Sequence, residues 1–259
     1  MDINKFKGKV ALITGTTHGI GQAAAVRLAA EGAIVAFNHR PTSNPDKTAQ
    51  MIKEAGGEGF PVAADMGDPD QILKMIDETV RLGGKLDYIV SNAAINPALK
   101  WDETTLEEYD LLMDVNLKGT WIVCTEGAKQ MIKEGHGGSI VTMSSISAYI
   151  GAVDQTVYCA TKAGILMMSK ALALVLGEHG IRINCILPGS IYTNMSRNHP
   201  GSAARRFAEM KNPMKRVGES SEVAGAVSFL LSDDASFING AELLIEGGMI
   251  INGEFNPGE

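Results

Sequence analysis

Short apolar runs alternate with helical stretches along this chain, and that alternation restricts the fold more than any other feature of the sequence. The strand-like runs cover residues 10–14, 34–38, 59–64, 86–91, 139–143, 182–187 and 242–245. The helical stretches cover residues 19–30, 46–55, 68–82, 106–134, 157–177 and 221–231. Strands that alternate with helices form parallel sheets covered on both faces. We therefore predict an α/β fold with a doubly wound parallel sheet of about seven strands.

The length of 259 residues is normal for one α/β domain, so residues 1–259 are predicted to form a single domain. Residues 190–215 are polar, contain two prolines and separate the last two strand units. We predict that this segment is a substrate lid, with a surface loop as the alternative. Its middle, residues 202–210, has the composition of a short helix.

A glycine-rich turn follows the first strand-like run. Gly15, Gly19 and Gly21 have the spacing Gly-x-x-x-Gly-x-Gly, and a good helix former that stops at Gly32 follows them. Glycines allow the backbone to approach a pyrophosphate, and the start of a helix offers free N–H groups. The turn therefore predicts a dinucleotide site, although by itself it is also typical of an ordinary strand-to-helix connection.

Tyr158 and Lys162 are four residues apart in a predicted helix, and Ser145 lies upstream. This spacing places both polar ends on one face of the helix. A free tyrosine has a pKa of about 10, and a cation about 4 Å away at an effective dielectric constant of about 20 favours its anion by up to roughly 4 kcal/mol. The pair thus predicts a tyrosine that transfers protons near neutral pH. Taken alone, the same spacing is common on solvated helix surfaces.

Polar residues and glycines at the ends of the strand-like runs belong to one region of the predicted sheet. Parallel α/β sheets bind ligands at the carboxyl ends of their strands. The residues at or just after such ends are Gly15, Asn38, Asp65, Asn92, Ser145 and Pro188. Their shared placement predicts a single site.

These motifs together resemble those of the classical short-chain dehydrogenases/reductases, and the resemblance covers essentially the whole sequence. It implies a Rossmann-like fold and an NAD(P)-dependent oxidoreductase that acts on CH–OH groups. The residues that match the family's catalytic tetrad are Asn116, Ser145, Tyr158 and Lys162. The residues that match its cofactor contacts are Gly15, Thr17, Gly19, Ile20, Asn38, Arg40, Asp65, Met66, Asn92, Ala93, Tyr158, Lys162, Pro188, Gly189, Ile191 and Thr193. Ser91 and Ala94 depart from the family's Asn-Asn-Ala-Gly turn, where close backbone approach is usual.

The resemblance also implies a role for each member of the tetrad. Tyr158 exchanges a proton with the substrate hydroxyl, and Ser145 hydrogen-bonds the reacting oxygen. Lys162 lowers the pKa of Tyr158 and holds the nicotinamide ribose, and Asn116 positions a water molecule for proton relay. The cofactor carries the hydride, and the protein supplies position and electrostatics.

The segment after the second strand-like run bears on the choice between NAD and NADP. An acidic residue there binds the ribose diol and repels a 2′-phosphate. The segment reads Phe37-Asn38-His39-Arg40 and contains no acid, whereas Arg40 is able to pair with a phosphate. We therefore favour NADP, with NAD as the alternative.

Three functions stay open from the sequence. Residues 38–40 and 144–148 look like those of bacterial glucose and rhamnose 1-dehydrogenases, which favours an aldose 1-dehydrogenase that forms a lactone. The alternatives are a carbonyl reductase of the 3-oxoacyl-acyl-carrier-protein type and a catalytically silent dinucleotide-binding protein, and the complete tetrad argues against the last. The residues expected to contact a sugar, unless they are solvated loop residues, are Asn96, Ser147, Gln155, Asn194 and Ser196. Arg197, Arg205 and Arg206 leave room for an acidic sugar.

Composition argues against several other classes of function. The net charge of −7 and the isoelectric point of about 5.3 argue against nucleic-acid binding. The three cysteines and five histidines show no metal-ligand spacing, so no metal is expected. The sequence has no signal-peptide pattern and no apolar run long enough to span a bilayer, so we predict a cytoplasmic protein without membrane partners.

The helical stretch at residues 163–176 is apolar on more than one stripe. One stripe is expected to cover the sheet, and the other then requires a partner. A symmetric oligomer supplies such a partner, and the family resemblance implies a homotetramer.

Overall fold

The computed structural model describes residues 3–193 and 199–251. The strands within them are β1 (Val10–Ile13), β2 (Ile34–His39), β3 (Glu58–Ala63), β4 (Tyr88–Ser91), β5 (Gly138–Met143), β6 (Ile181–Pro188), β7 (Ile191–Tyr192), β8 (Gly218–Glu219) and β9 (Glu242–Ile245). Seven of these strands form one parallel sheet in the order β3-β2-β1-β4-β5-β6-β9, and β7 pairs with β8 separately. The predicted seven-stranded parallel sheet is confirmed.

Helices cover both faces of the sheet, as a doubly wound fold requires. They are α1 (Gly19–Ala30), α2 (Asp46–Glu54), α3 (Pro69–Gly83), α4 (Leu106–Leu112), α5 (Gly119–Glu134), α6 (Thr156–Leu176), α7 (Ala203–Lys211) and α8 (Ser220–Leu231). On one face, α1 and α8 pack against each other and the sheet in a buried cluster that includes Leu28 and Val227. On the other face, α3, α5 and α6 enclose a second cluster that includes Met131 and Leu176.

The central strand β1 contributes to both clusters, because successive side chains of a strand point to opposite faces. Ala11 and Ile13 belong to the first cluster, whereas Leu12 belongs to the second. All four β1 residues are buried, which explains why the strand reads as a continuous apolar run. The strand order reverses between β1 and β4, and ligands bind at such a reversal in open α/β sheets.

The single helix predicted for residues 106–134 is interrupted. After α4, the π-helical stretch Met113–Lys118 leads into α5. A Cβ atom on Gly119 would lie 2.3 Å from the carbonyl oxygen of Met66, so the close approach of the segment after β3 requires glycine there. π-Helical turns are frequent at functional sites, and this one contains Asn116.

Helix α6 and its 3₁₀ extension, Thr156–His179, are long and apolar enough to cross a membrane by length and composition, alone among the helices of the described residues. The expectation that no apolar run has this length was therefore wrong for this stretch. The helix nevertheless packs on β6, with Ile165 and Leu166 against Leu187. Met167 and Leu174 lie exposed on its other side. Its apolarity therefore reflects a core helix with a second, uncovered stripe, as the sequence pattern predicted.

Candidate active site

The glycine turn between β1 and α1 has a shape that requires glycine. Gly15 and Gly19 adopt positive φ angles of 69° and 65°. A Cβ atom on Gly21 would lie 2.3 Å from the carbonyl oxygen of Gly15. Helix α1 begins without a side-chain cap and has no acidic residue in its first turn. Its first N–H groups are thus suited to an anion, and the turn fits the pyrophosphate of a dinucleotide.

The residues directly after β1 and β4 hold this turn in place from one side. The Asn92 amide donates to the carbonyl oxygens of Thr14 at 2.9 Å and Gly15 at 3.1 Å. Thr14 Oγ1 accepts hydrogen bonds from the backbone nitrogens of Asn92 and Ala93. The role of Thr14 was missed from the sequence, where the available signal was a hydroxyl directly after a buried apolar run.

Asn38 braces the turn from the other side. Its Oδ1 accepts a hydrogen bond from the Gly15 nitrogen at 3.1 Å. Its Nδ2 donates to the carbonyl oxygens of Val62 at 3.3 Å and Ala64 at 3.2 Å, and the residue is 2% exposed. Because both ends of the amide are occupied, the cofactor contact predicted for this side chain would have to replace one of these bonds. Asn38 joins the ends of β1, β2 and β3.

We expect Asn38→Asp to weaken cofactor binding by about 5- to 100-fold, since losing the donor to buried carbonyls costs about 1–3 kcal/mol. The carboxylate would still accept from Gly15 but would face the oxygens of Val62 and Ala64. Fluorescence titration with NADPH measures the effect. Asn44→Asp, at an exposed asparagine that acts as an acceptor, is the matched control. An unchanged dissociation constant in Asn38→Asp would contradict the bracing role.

Tyr158 and Lys162 lie on one face of α6, as their spacing predicted. Lys162 Nζ is 5.5 Å from the centre of the Tyr158 ring. Lys162 is 3% exposed and donates to the Met143 carbonyl oxygen at 2.8 Å. Tyr158 is half-buried, and the side chain of Ser145 lies close enough to its hydroxyl to lower the pKa of the phenol. Three members of the predicted tetrad therefore meet at the carboxyl end of β5.

Burial is the largest influence on the pKa of both groups, because it disfavours their charged forms. It raises the pKa of Tyr158 to about 12, and the hydrogen bond with Ser145 opposes this rise. It lowers the pKa of Lys162 to about 8. Lys162 is not among the influences that set the pKa of Tyr158 here, so the lowering of the phenol pKa by Lys162 stays a prediction.

Asn116, the fourth member, lies buried in the π-helical stretch. Its Oδ1 accepts from the Ile95 nitrogen at 2.8 Å, and its Nδ2 donates to the Ile95 carbonyl oxygen at 2.9 Å. Nδ2 also lies 3.4 Å from Oγ1 of Thr161, the residue before Lys162. Asn116 thus holds the segment after β4 beside α6. Its role in positioning a water molecule stays a prediction.

The remaining predicted cofactor residues follow the same edge of the sheet. A Cβ atom on Gly19 would lie 3.2 Å from Thr193 Cγ2, so Thr193 faces the glycine turn. Asp65 Oδ1 accepts from the Gly67 nitrogen and shapes the turn after β3. Arg40 is exposed beyond the end of β2. The other predicted positions lie in the glycine turn, at or just after strand ends, or in β7, and are Thr17, Ile20, Met66, Ala93, Pro188, Gly189 and Ile191.

Three of the predicted substrate contacts adjoin members of the tetrad. Ser147 donates its backbone N–H to Ser145 Oγ, and Gln155 directly precedes α6. Asn96 follows the Ile95 that Asn116 holds, and its buried Oδ1 has no hydrogen-bond partner among the described residues. The other two predicted contacts, Asn194 and Ser196, lie outside the described residues.

A polar cluster behind the Ser145 loop was not anticipated. The Tyr149 hydroxyl donates to one carboxylate oxygen of Glu242, and Lys170 Nζ lies 2.5 Å from the other oxygen. These contacts tie the loop that carries Ser145 to α6 and β9. Tyr149 and Glu242 are 93 positions apart, and no local pattern in the sequence pairs them.

Metal-ligating side chains do not cluster in residues 3–193 and 199–251, where no three His, Cys, Asp or Glu residues are placed to hold an ion. Cys124, Cys159 and Cys185 are free thiols. Burial raises the pKa of Cys124 to about 12, so this thiol stays protonated near neutral pH.

Comparison with known proteins gives consistent results. A family model described as enoyl-(acyl carrier protein) reductase matches residues 15–250. L-rhamnose 1-dehydrogenase (NAD(P)(+)) of Sphingomonas sp. is 38% identical over 95% of this chain and 98% of that protein. Glucose 1-dehydrogenase 2 of Bacillus subtilis is 35% identical over 94% of this chain and 95% of that protein.

Solved structures agree with the sequence comparisons. A short chain dehydrogenase from Burkholderia cenocepacia, crystallised in complex with NADP, has a TM-score of 0.89 and 31% identity to this chain. The match covers 95% of this chain and all of that one. By its sequence, its parallel sheet and its glycine turn, the chain belongs to the short-chain dehydrogenase/reductase family and is an NAD(P)-dependent oxidoreductase.

Proposed function

We propose that this oxidoreductase is an aldose 1-dehydrogenase, which oxidises the anomeric CH–OH group of a sugar to a lactone. The observation that carries the proposal is the meeting of Tyr158, Ser145 and Lys162 beside a glycine turn that fits a dinucleotide. The similarity to L-rhamnose and glucose 1-dehydrogenases supports a sugar as the substrate.

In the proposed reaction, C1 of the sugar loses a hydride and its hydroxyl loses a proton. When bound, the nicotinamide cofactor supplies the hydride acceptor. Tyr158 accepts the proton as general base, and Ser145 hydrogen-bonds the oxygen that becomes the lactone carbonyl. Lys162 favours the tyrosinate through its charge. The ring oxygen is retained, so the product is a lactone.

The residues that would hold the cofactor follow from the geometry of the turn. The backbone N–H groups at the start of α1, around Gly19 and Ile20, are suited to the pyrophosphate. Asp65, after β3, would contact the adenine end, and Lys162 would hold the nicotinamide ribose. Thr193 faces the turn from the opposite side of the cleft.

The proposed preference for NADP depends on Arg40. Arg40→Ala is expected to weaken NADP binding by about 10- to 100-fold and to leave NAD binding nearly unchanged, because a charge-assisted hydrogen bond contributes roughly 1.5–3 kcal/mol. Titration of both reduced cofactors against wild type and variant measures this. Arg81→Ala removes another exposed arginine, on α3, as a control. Equal losses for both cofactors would show that Arg40 does not contact the 2′-phosphate.

Polar side chains next to the tetrad support a hydroxylated substrate. Ser147 and Gln155 flank Ser145 and Tyr158, and Asn96 Oδ1 is buried without a partner among the described residues. A buried acceptor without a donor costs about 1–3 kcal/mol, and a sugar hydroxyl is a donor that would satisfy it. Sites built from such groups reject substrates that lack the matching hydroxyl.

A second candidate is a carbonyl reductase of the 3-oxoacyl-acyl-carrier-protein type, favoured by the acyl-carrier description of the matching family model. Absorbance at 340 nm separates the two functions. We expect NAD(P)H to form with L-rhamnose, fucose, glucose or galactose. Consumption of NADPH with 3-oxoacyl thioesters, and no oxidation of any aldose, would establish the second candidate instead. A catalytically silent protein would give neither signal.

We further propose that the domain assembles as a homotetramer, that residues 190–215 act as a substrate lid, and that the protein is cytoplasmic. The exposed apolar residues Met167, Leu174 and Val175 on α6 support a self-interface. The short helix expected within the lid segment is present as α7. The free thiols of the three cysteines agree with a reducing compartment.

A further inference from the structure

The segment that contains α7 differs in charge from the rest of the chain. Residues 190–215 include five Lys or Arg residues and one Glu, a net charge of +4, whereas the whole chain carries −7. A local excess of one sign near a cleft raises the concentration of oppositely charged ligands. The rest of the chain is acidic, and its net charge is already sufficient to keep the protein soluble. Solubility therefore does not explain the positive charge of this segment.

Contacts near both ends hold the described parts of this segment, residues 190–193 and 199–215, near the carboxyl edge of the sheet, where the tetrad lies. Near its start, Thr193 faces Gly19 in the glycine turn. Near its end, the Asn212 amide donates to the Glu246 carbonyl oxygen at 2.8 Å, just after β9. Gly248 also approaches Pro213, since a Cβ atom on it would lie 3.2 Å from that ring.

Arg205, in the first turn of α7, is held in one orientation. Its guanidinium carbon lies 5.9 Å from the centre of the Tyr192 ring. Its Nε donates to Glu209 Oε1 at 2.8 Å, and its side chain is only 25% exposed. The two terminal nitrogens of Arg205 make no hydrogen bond to residues 3–193 or 199–251. The bond through Nε leaves the two terminal nitrogens of the guanidinium available for two parallel bonds to an oxyanion.

We propose, on the basis of the aldose 1-dehydrogenase function above, that the sugar substrate carries an anionic group remote from C1 and that Arg205 receives this group. Tyr192, whose ring centre lies 5.9 Å from the Arg205 guanidinium carbon, immediately precedes the Thr193 that faces the glycine turn. We therefore place the guanidinium beside the proposed cofactor cleft. Carboxylate, sulfonate and phosphate groups all present the paired oxygens that a guanidinium binds.

The test compares sugars that differ only at the far end. Glucose is assayed against glucuronate, glucose 6-phosphate and 6-deoxy-6-sulfoglucose, and galactose against galacturonate. We expect at least one anionic sugar to have a kcat/KM about 10- to 100-fold above its neutral parent, mainly through KM, as a charge-assisted bidentate contact predicts. Raising the ionic strength should reduce this advantage only partly, because Arg205 is largely shielded from solvent.

Variants at Arg205 and Arg206 show whether Arg205 causes the preference for the anionic sugar. Arg205→Met is expected to remove the advantage of the anionic sugar and to change the neutral parent by less than about threefold, and Arg205→Lys should restore part of it. Arg206→Met is the matched control, because Arg206 is the next residue on α7, is exposed and donates to the Gly201 carbonyl oxygen. Equal losses in both variants would indicate a diffuse field and overturn the assignment to Arg205.

Three further outcomes distinguish failure of this inference from failure of the proposed aldose 1-dehydrogenase function. Oxidation of neutral aldoses without any preference for anionic ones would refute the inference and leave the proposed function intact. Failure with every aldose would refute the proposed function itself. Arg205→Met could also lose activity on a neutral aldose with NADP but not with NAD. That result would show that the guanidinium contacts the 2′-phosphate of the cofactor, and it would overturn the inference. Titration with NADPH confirms that each variant is folded.

Discussion

Replacing Tyr158 by Phe is expected to lower turnover by about 10²- to 10⁴-fold, the usual contribution of a positioned general base. The ring and its packing are retained, so the dissociation constant of the cofactor should change little. The phenol lies beside Ser145 and the buried Lys162, and no other base takes its place in the proposed reaction. Initial rates and fluorescence titration with NADPH measure the two quantities separately.

Tyr109→Phe is the matched control for this variant. Tyr109 lies on α4 and is 42% exposed, so loss of its hydroxyl should leave the rate unchanged. If Tyr158→Phe keeps more than a few per cent of the wild-type rate, Tyr158 is not the base.

Replacing Lys162 by Met is expected to move the rise of kcat/KM with pH to higher pH and to weaken cofactor binding. Tyr158 has a pKa of about 12, raised mainly by burial, and Lys162 is protonated below about pH 8. The ammonium favours the tyrosinate and so lowers the pKa of the phenol, whereas a methionine does not. A pH–rate profile from pH 6 to 11 measures the shift. An active variant with the wild-type profile would refute this role of Lys162.

Lys162→Met is also expected to change how the stability of the protein depends on pH, which can be measured without an activity assay. The pKa of Lys162 in the folded protein is about 8, below its ordinary value of 10.5. Between these values the unfolded chain binds more protons than the folded one, so the contribution of Lys162 to stability rises with pH across that window. Lys162→Met should lack this rise. Thermal unfolding of both proteins at pH 8 and pH 10 measures the difference.

Much of the fold could be predicted from the local pattern of apolar residues in the sequence. Each of the seven predicted apolar runs coincides with a strand of the sheet. In β1 the run is continuous because the strand is buried on both faces. The spacing of Tyr158 and Lys162 sufficed to place both on one helix face. The interruption at residues 113–118 could not be predicted in the same way, because it lies where Gly119 approaches Met66, a residue more than fifty positions away, and no local pattern shows that contact.

The site was less predictable than the fold, because its side chains work through distant partners. The amide of Asn38 bonds the ends of three strands, and a local reading of Phe37-Asn38-His39-Arg40 shows only a polar residue after a strand. The cluster of Tyr149, Glu242 and Lys170 likewise joins three elements far apart in sequence. The burial that dominates the pKa of Tyr158 is a property of the packed protein and is absent from the helix spacing.

Oxidation of an aldose labelled with deuterium at C1, followed by mass spectrometry of the cofactor and the sugar product, shows whether this enzyme removes a hydride from the anomeric carbon and forms a lactone. We expect the reduced cofactor to carry the deuterium and the product to be the unlabelled lactone, and we expect Tyr158→Phe to form both at least about 10²-fold more slowly. A reduced cofactor without deuterium, or a product oxidised at another carbon, would refute the proposed oxidation at C1.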